Sequence, residues 1–569
     1  MLDPLDAFLE DYREKTALNR AILNHLLHQS FVSSEQEPES DLMLDPNPDP
    51  DRIREILGKY PFKDPLAAYQ NLNQLATETI PFLSSRRCRQ FLANIAPQLL
   101  KVVAETPDPD MALVNLEKVS ASLGGKAVLW ELFSFNTPTL QLYVDLCAYS
   151  QFLSDILIKS PGMIDELLDS LVLNVPRTRE ELHQELAELT RNADDLDPIL
   201  HSFQEQEFLR IGVRDILDKD TIIETTQALS DLAEVILVQL AALQYPPLVK
   251  RLGAPTIGSE TGDARAGAES RYVLLALGKL GGREMSYHSD LDLILIYEGD
   301  GRTMPPAGST RWDTFELTDN FHFFSELAQR IIRAASYMGP RGRLYQVDMR
   351  LRPTGKSGSL VLPLSEFERY YERGDAQLWE RQALTRGRIV FGDPEFAEHV
   401  MRVIQHQAYD LEWKPGIADE IMSMRGRVEA SGSKRDLKRG YGGIIDIEFI
   451  VQMFRMKYGR EHPAVRDPNT WRALDAMHEA KRINAEEHAT LRSCLDFMRS
   501  VESRLRIFHN RSLDELPENA DDLEKLARRL GCEPTTERSA GQVFLQLFER
   551  HTSQTRQLFR ELFQRERRS

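Results

Sequence analysis

Two short apolar runs interrupt a chain whose patterning is otherwise helical almost throughout, and they limit the folds open to it. The first, Tyr272 to Leu277, ends in Gly278; the second is Leu293 to Tyr297. Both are strand-sized and bounded by turn residues, so they read as buried strands. The chain between them carries Gly281-Gly282 and Ser289, then Asp290-Leu291-Asp292. A further segment, Leu344 to Arg352, alternates Val347, Met349 and Leu351 with Asp348, Arg350 and Arg352, which is the period of a strand.

Around this centre the apolar spacing is helical. Leu92, Ile95, Leu99 and Val102 share one face, and so do Leu142, Leu146 and Leu153. Pro107-Asp108-Pro109 and Pro161-Gly162 mark turns between helices. Residues 314–337 are expected to form a helix with Phe321, Phe324, Leu327 and Ile331 inward. The expected organisation is an N-terminal helix (about 1–31) and a flexible acidic linker (33–51) within 1–50. A helical region over 51–250, a compact catalytic domain over 251–400 and a helical region over 401–569 follow. The fold class is therefore α+β, predominantly helical.

Composition narrows the partners. The 569 residues carry a formal net charge of -18, which argues against broad nucleic-acid binding, since that needs basic surface. Cys88, Cys147, Cys494 and Cys532 are far apart, with neither zinc-ligand nor redox spacing, and fit a reducing cytoplasm. The N-terminus has no signal-peptide pattern. The apolar runs fall short of the ~20 residues that span a bilayer, so no membrane association is expected.

On a strand, residues i and i+2 share a face, which sets Asp290 and Asp292 side by side. Two such carboxylates repel unless they share a proton, meet a base or hold a hard cation. Asp348 can join them as a third oxygen donor, with Arg350 and Arg352 on its face for phosphate oxygens. The glycine turn lets backbone approach a phosphate. Taken singly, the Asp pair also fits a solvated strand end, the arginines surface ion pairs and the glycines a plain turn. His288 is a poor match for a Mg²⁺ site. Asp446 and Glu448 fall on different helix faces.

These residues resemble the DNA polymerase β-type nucleotidyltransferases and, more narrowly, glutamine synthetase adenylyltransferase, in its C-terminal, adenylylating half. The matching series is Gly278, Asp290-X-Asp292, the strand with Asp348, Arg350 and Arg352, Trp379-Glu380-Arg381-Gln382 with Arg386, and Gly442-Gly443 with Asp446, Glu448 and Phe449. The resemblance implies a polymerase β-like domain between helical domains. It implies two Mg²⁺ ions, with Mn²⁺ as the alternative, on Asp290, Asp292 and Asp348, and ATP as co-substrate. Asp348 would also accept the proton of an attacking tyrosine.

Gly278, Gly281, Gly282, Ser289, Arg350 and Arg352 would bind the nucleotide. Arg386, Lys438, Arg439, Gly442 and Gly443 are candidates for a phosphate or partner contact. The implied reaction moves AMP from ATP to a tyrosine of glutamine synthetase and releases pyrophosphate, with the PII protein and glutamine as regulators. The family enzyme usually has two such domains and this sequence shows one Gly-turn/Asp-X-Asp series. Phosphorolytic removal of AMP therefore stands as an alternative, as does a non-catalytic regulator-binding role.

Overall fold

The computed structural model describes residue 15 and residues 37–80, 83–163, 176–258, 265–306 and 315–568. The chain forms two compact units, Met1–Asn174 and Val175–Ser569. The helical region expected over 51–250 thus divides, and its last helices belong with the catalytic domain.

The first unit is helical as far as it is described. Helix Ser85–Glu105 buries Leu92, Ile95, Leu99 and Val102, the face read from the sequence. Helices Pro109–Leu123 and Thr137–Tyr149 follow, each started by an Asx cap and an early proline. The expected helix over about 1–31 lies outside the described residues, apart from Lys15. The expected linker over 33–51 is corrected where it is described. Pro38–Leu44 is a helix with Leu42 and Met43 buried. The Ser40 hydroxyl donates to Ala93 O at 2.7 Å, and Arg89 donates to Met43 O at 2.9 Å. Two apolar residues and these bonds suffice to dock a segment whose composition is polar.

The second unit is built round a five-stranded sheet: β1 (Tyr272–Ala276), β2 (Leu291–Tyr297), β3 (Val347–Asp348), β4 (Val361–Pro363) and β5 (Arg388–Gly392). β1 lies between β2 and β5, antiparallel to both. β3 and β4 both pair parallel to β2, at its start and its end respectively. Val273, Leu275, Ile294 and Ile296 pack with Phe367, Tyr371, Phe396 and Ile404 of two helices. On the other face Tyr297 stacks on Phe324 at 4.9 Å. Burial on both faces explains why these strands read as unbroken apolar runs.

Three expectations change here. The alternating stretch 344–352 forms a strand only at Val347–Asp348. The Arg350 N–H turns back to the Asp348 side chain at 2.8 Å, and Pro353 then offers no donor. β5 lies in a stretch whose period reads as helical. In the helix Asn320–Ser336, Phe323 joins Phe324, Leu327 and Ile331 inside, while Phe321 is exposed.

Helix Ile222–Leu252 is 31 residues long and apolar enough to cross a membrane by length and composition. This corrects the reading that no segment qualifies. The helix packs within the unit against Arg179–Leu189, Asp197–Ile216 and Asn320–Ser336. Its buried Glu234 pairs with Arg179 and Arg388 at 2.7 and 2.6 Å. From Pro415 the chain is helical and packs on two cores, one around Phe454, Trp471 and Phe559 and one around Leu505, Leu526 and Phe544.

Candidate active site

The carboxylates meet where β2 begins. Parallel pairing sets Leu291 opposite Val347 and Asp292 opposite Asp348. Leu291 and Val347 are buried and fix the register, so the two acids occupy neighbouring strand positions, about 4.8 Å apart between strand axes. Asp290 immediately precedes β2 and is exposed. Gly278 has φ +54, and a Cβ on it would lie 2.0 Å from Asp292 Oδ2. Only glycine accommodates both that backbone and that contact.

The charges are uneven. Burial, then Asp348, then Asp290 push the Asp292 carboxyl up to about 6, against Lys438 and Arg386. Burial and then Asp348 raise Asp290. Asp348 moves the other way: burial would raise it, but the hydrogen bonds and charge of Arg350 hold it below the usual carboxylate range. Arg350 Nε donates to the two Asp348 oxygens at 2.9 and 2.6 Å. Among the described residues no three His, Cys, Asp or Glu side chains stand together as a finished metal cage. The donors nevertheless suit a hard cation. They are carboxylate oxygens, and burial followed by the charge of Asp348 destabilises the ionised forms of Asp290 and Asp292, with a glycine cradle beside Asp292.

The other candidates fall into three groups. Arg350 and Lys438 are at the carboxylates. Lys438, half-buried, comes from the C-terminal helical region and lowers the Asp292 pKa. Ser289 is buried just before Asp290, and its hydroxyl accepts from Ser286 N and from Arg506.

A second group has a different occupation from the one expected. Arg352 donates to Met349 O at 2.6 Å and Gly358 O at 3.1 Å, bracing a turn instead of facing a phosphate. Arg386 is buried against Glu284 and Glu448 at 2.8 and 3.0 Å, so it is no surface contact. Arg439 pairs with Asp436 at 2.9 Å.

The third group consists of glycines set by packing. A Cβ on Gly281 would meet Arg386 O at 2.0 Å, and one on Gly282 would meet Arg386 Nη2 at 2.6 Å. Gly442, at φ +66, and Gly443 press on Thr552 O and Leu437 O at 1.8 and 2.6 Å by the same measure. His288 is held neutral by burial and then Arg506, with its pKa pushed down to about 4. Asp446 pairs with Arg425 and Arg556, and Glu448 with Arg386 and Arg499, in keeping with their different faces. Glu380 and Arg381 hold neighbouring helices through Tyr370 OH and Gln407 O.

Sequence reading passed over a buried ionic cluster behind the turn. Lys279, Glu284, Arg499, Glu502 and Arg506 belong to it, and Glu502 lies 2.5 Å from Lys279 and 2.9 Å from Arg499. Arg499, Glu502 and Arg506 fall at i, i+3 and i+7, the spacing of an ordinary solvated helix face. Only their burial sets them apart.

The mixed sheet, the glycine turn and the carboxylates on neighbouring strands define a nucleotidyltransferase domain within a predominantly helical α+β chain. The glutamate-ammonia ligase adenylyltransferase family matches residues 140–403, and GlnD PII-uridylyltransferase matches residues 417–563. Its central region is thus similar to the glutamate-ammonia ligase adenylyltransferase family.

Among curated relatives, a protein of Thioalkalivibrio sulfidiphilus is 32% identical over 75% of this chain and 44% of its own length. One of Pseudomonas putida is 31% identical over 83% of this chain and 49% of its own length. One of Methylococcus capsulatus is 29% identical over 89% and 53%. All three are named bifunctional glutamine synthetase adenylyltransferase/adenylyl-removing enzyme. The chain spans about half the length of these relatives.

Proposed function

We propose that the chain transfers AMP from ATP to a tyrosine of glutamine synthetase. The observation that carries this reading is the register of β2 with β3, which sets Asp292 beside Asp348, two residues past Asp290. Asp290, Asp292 and Asp348 would hold two Mg²⁺ ions, whose bound charge would stabilise the attacking and leaving oxygens of an in-line displacement. The tyrosine oxygen forms a bond to the α-phosphorus, the bond from that phosphorus to the β-phosphate oxygen breaks, and pyrophosphate departs. The phenolic proton passes to a carboxylate oxygen of Asp348. That oxygen becomes available when Arg350, whose side chain is 61% exposed, swings from it to a phosphate. Lys438 supplies a second cation from the C-terminal side.

Labelled ATP, Mg²⁺ and glutamine synthetase incubated with the chain should yield labelled synthetase, and Asp290→Asn should abolish the label. Equal labelling by Asp290→Asn would sink the reading. The names of the relatives include removal of the adenylyl group beside its addition, and a second reading is therefore removal of AMP by phosphorolysis. Release of ADP from modified synthetase and phosphate would identify it, whereas pyrophosphate from ATP identifies addition. Control by PII and glutamine enters through the family resemblance alone.

A further inference from the structure

We propose that Glu502 and Arg506, on a helix of the C-terminal region, are positioning residues that clamp both ends of the segment that packs on Asp292 and leads into Asp290. The inference rests on the nucleotidyltransferase reading and adds to it residues outside the catalytic domain.

The segment between β1 and β2 begins with Gly278-Lys279 and ends with Ser289-Asp290. At its start, Lys279 Nζ lies 2.5 Å from Glu502 Oε1. Near its end, Arg506 Nη1 donates to Tyr287 O at 3.1 Å and to Ser289 Oγ at 3.3 Å. Arg506 Nη2 lies 3.1 Å from the same Glu502 oxygen that Lys279 holds. One carboxylate therefore ties the turn facing Asp292 to the serine preceding Asp290. Arg499 holds the other Glu502 oxygen at 2.9 Å, and Asp514 holds Arg506 at 2.5 Å. Glu502 and Arg506 are 1% and 3% exposed.

A buried carboxylate among three cations is over-determined and does not drift, because any displacement strips a charge of its partner. The C-terminal helix thus acts as the rigid support that a two-point loop needs to hold its acids to fractions of an ångström.

The test is Arg506→Lys in the full chain. Lysine keeps the charge beside Glu502 and Asp514 but has no fork to reach Tyr287 O and Ser289 Oγ together. We expect kcat to fall about 10-fold with the KM for ATP within about 2-fold, a signature of misplacement and not of lost nucleotide binding. Mn²⁺ affinity, read by electron paramagnetic resonance without turnover, should weaken about 5-fold by the same misplacement.

Ser289→Ala removes the bond from the loop side. It should move both readouts in the same direction, and it carries the test if Arg506→Lys does not fold. The double variant should cost less than the sum of the singles. Wild-type kcat and wild-type Mn²⁺ affinity in a folded variant would overturn the clamp. Loss of Mn²⁺ affinity in a chain that transfers no AMP even as wild type would leave the clamp standing and defeat the activity.

Discussion

Gly278→Ala isolates the contact on which the site depends. The new methyl carbon would lie 2.0 Å from Asp292 Oδ2 and 2.9 Å from its carboxyl carbon. Carbon and oxygen do not approach closer than about 3.2 Å without strain, so the carboxylate must retreat by roughly 1 Å. A displacement of that size in a reacting constellation costs about 100-fold in rate. The backbone adds its own term: alanine at φ +54 is worse than glycine by about 1–2 kcal/mol.

Gly531→Ala separates the two effects. Gly531 has φ +71 and nothing within 4 Å of a new Cβ, so it should lose the same 1–2 kcal/mol and no rate. Urea unfolding gives the stabilities, and transfer of labelled AMP to glutamine synthetase gives the rates. If Gly278→Ala loses stability like Gly531→Ala and transfers AMP at the wild-type rate, the role assigned to Asp292 is wrong.

Three further outcomes follow from the same geometry. Burial would raise Glu448, but Arg386 and Arg499 hold it down to about 2, against an ordinary 4.5. This contributes about 3 kcal/mol of stability above pH 4.5, lost as pH falls from about 4.5 to 2, and urea midpoints across that range should show the loss. Gly442→Ala places a Cβ 1.8 Å from Thr552 O at φ +66, so it should destabilise the second unit by about 3 kcal/mol or more in the same unfolding assay. Lys438→Met should raise the KM for ATP about 10-fold in steady-state transfer, because it removes a cation beside Asp292 while retaining the length of the side chain.

The strands at the core of the domain could be read from the order of residues alone. The runs that became β1 and β2 were legible because a strand buried on both faces must be apolar at every position, and few other elements are. The placing of Asp290 and Asp292 at the start of β2 was legible from one turn and one period, whereas Gly278, expected to face a phosphate, is set against Asp292 only in the folded chain. Asp348 was found by alternation, although its strand is only two residues long. Alternation records which residues are buried, and a turn stabilised by the Asp348 side chain buries Val347 and Met349 as well as a strand does.

Where the charges went depended on how the chain packs. Arg352 and Arg386 carry the same guanidinium as Arg350, and nothing in their spacing says that two of them are consumed by a turn and by buried glutamates. The roles of Glu502 and Arg506 depend on a helix more than 200 positions along the chain coming to rest against Lys279 and Ser289. Charges at i, i+3 and i+7 look alike on a solvated face and in a buried cluster. What separates the two is the surface packed against them, and that is a property of the folded chain.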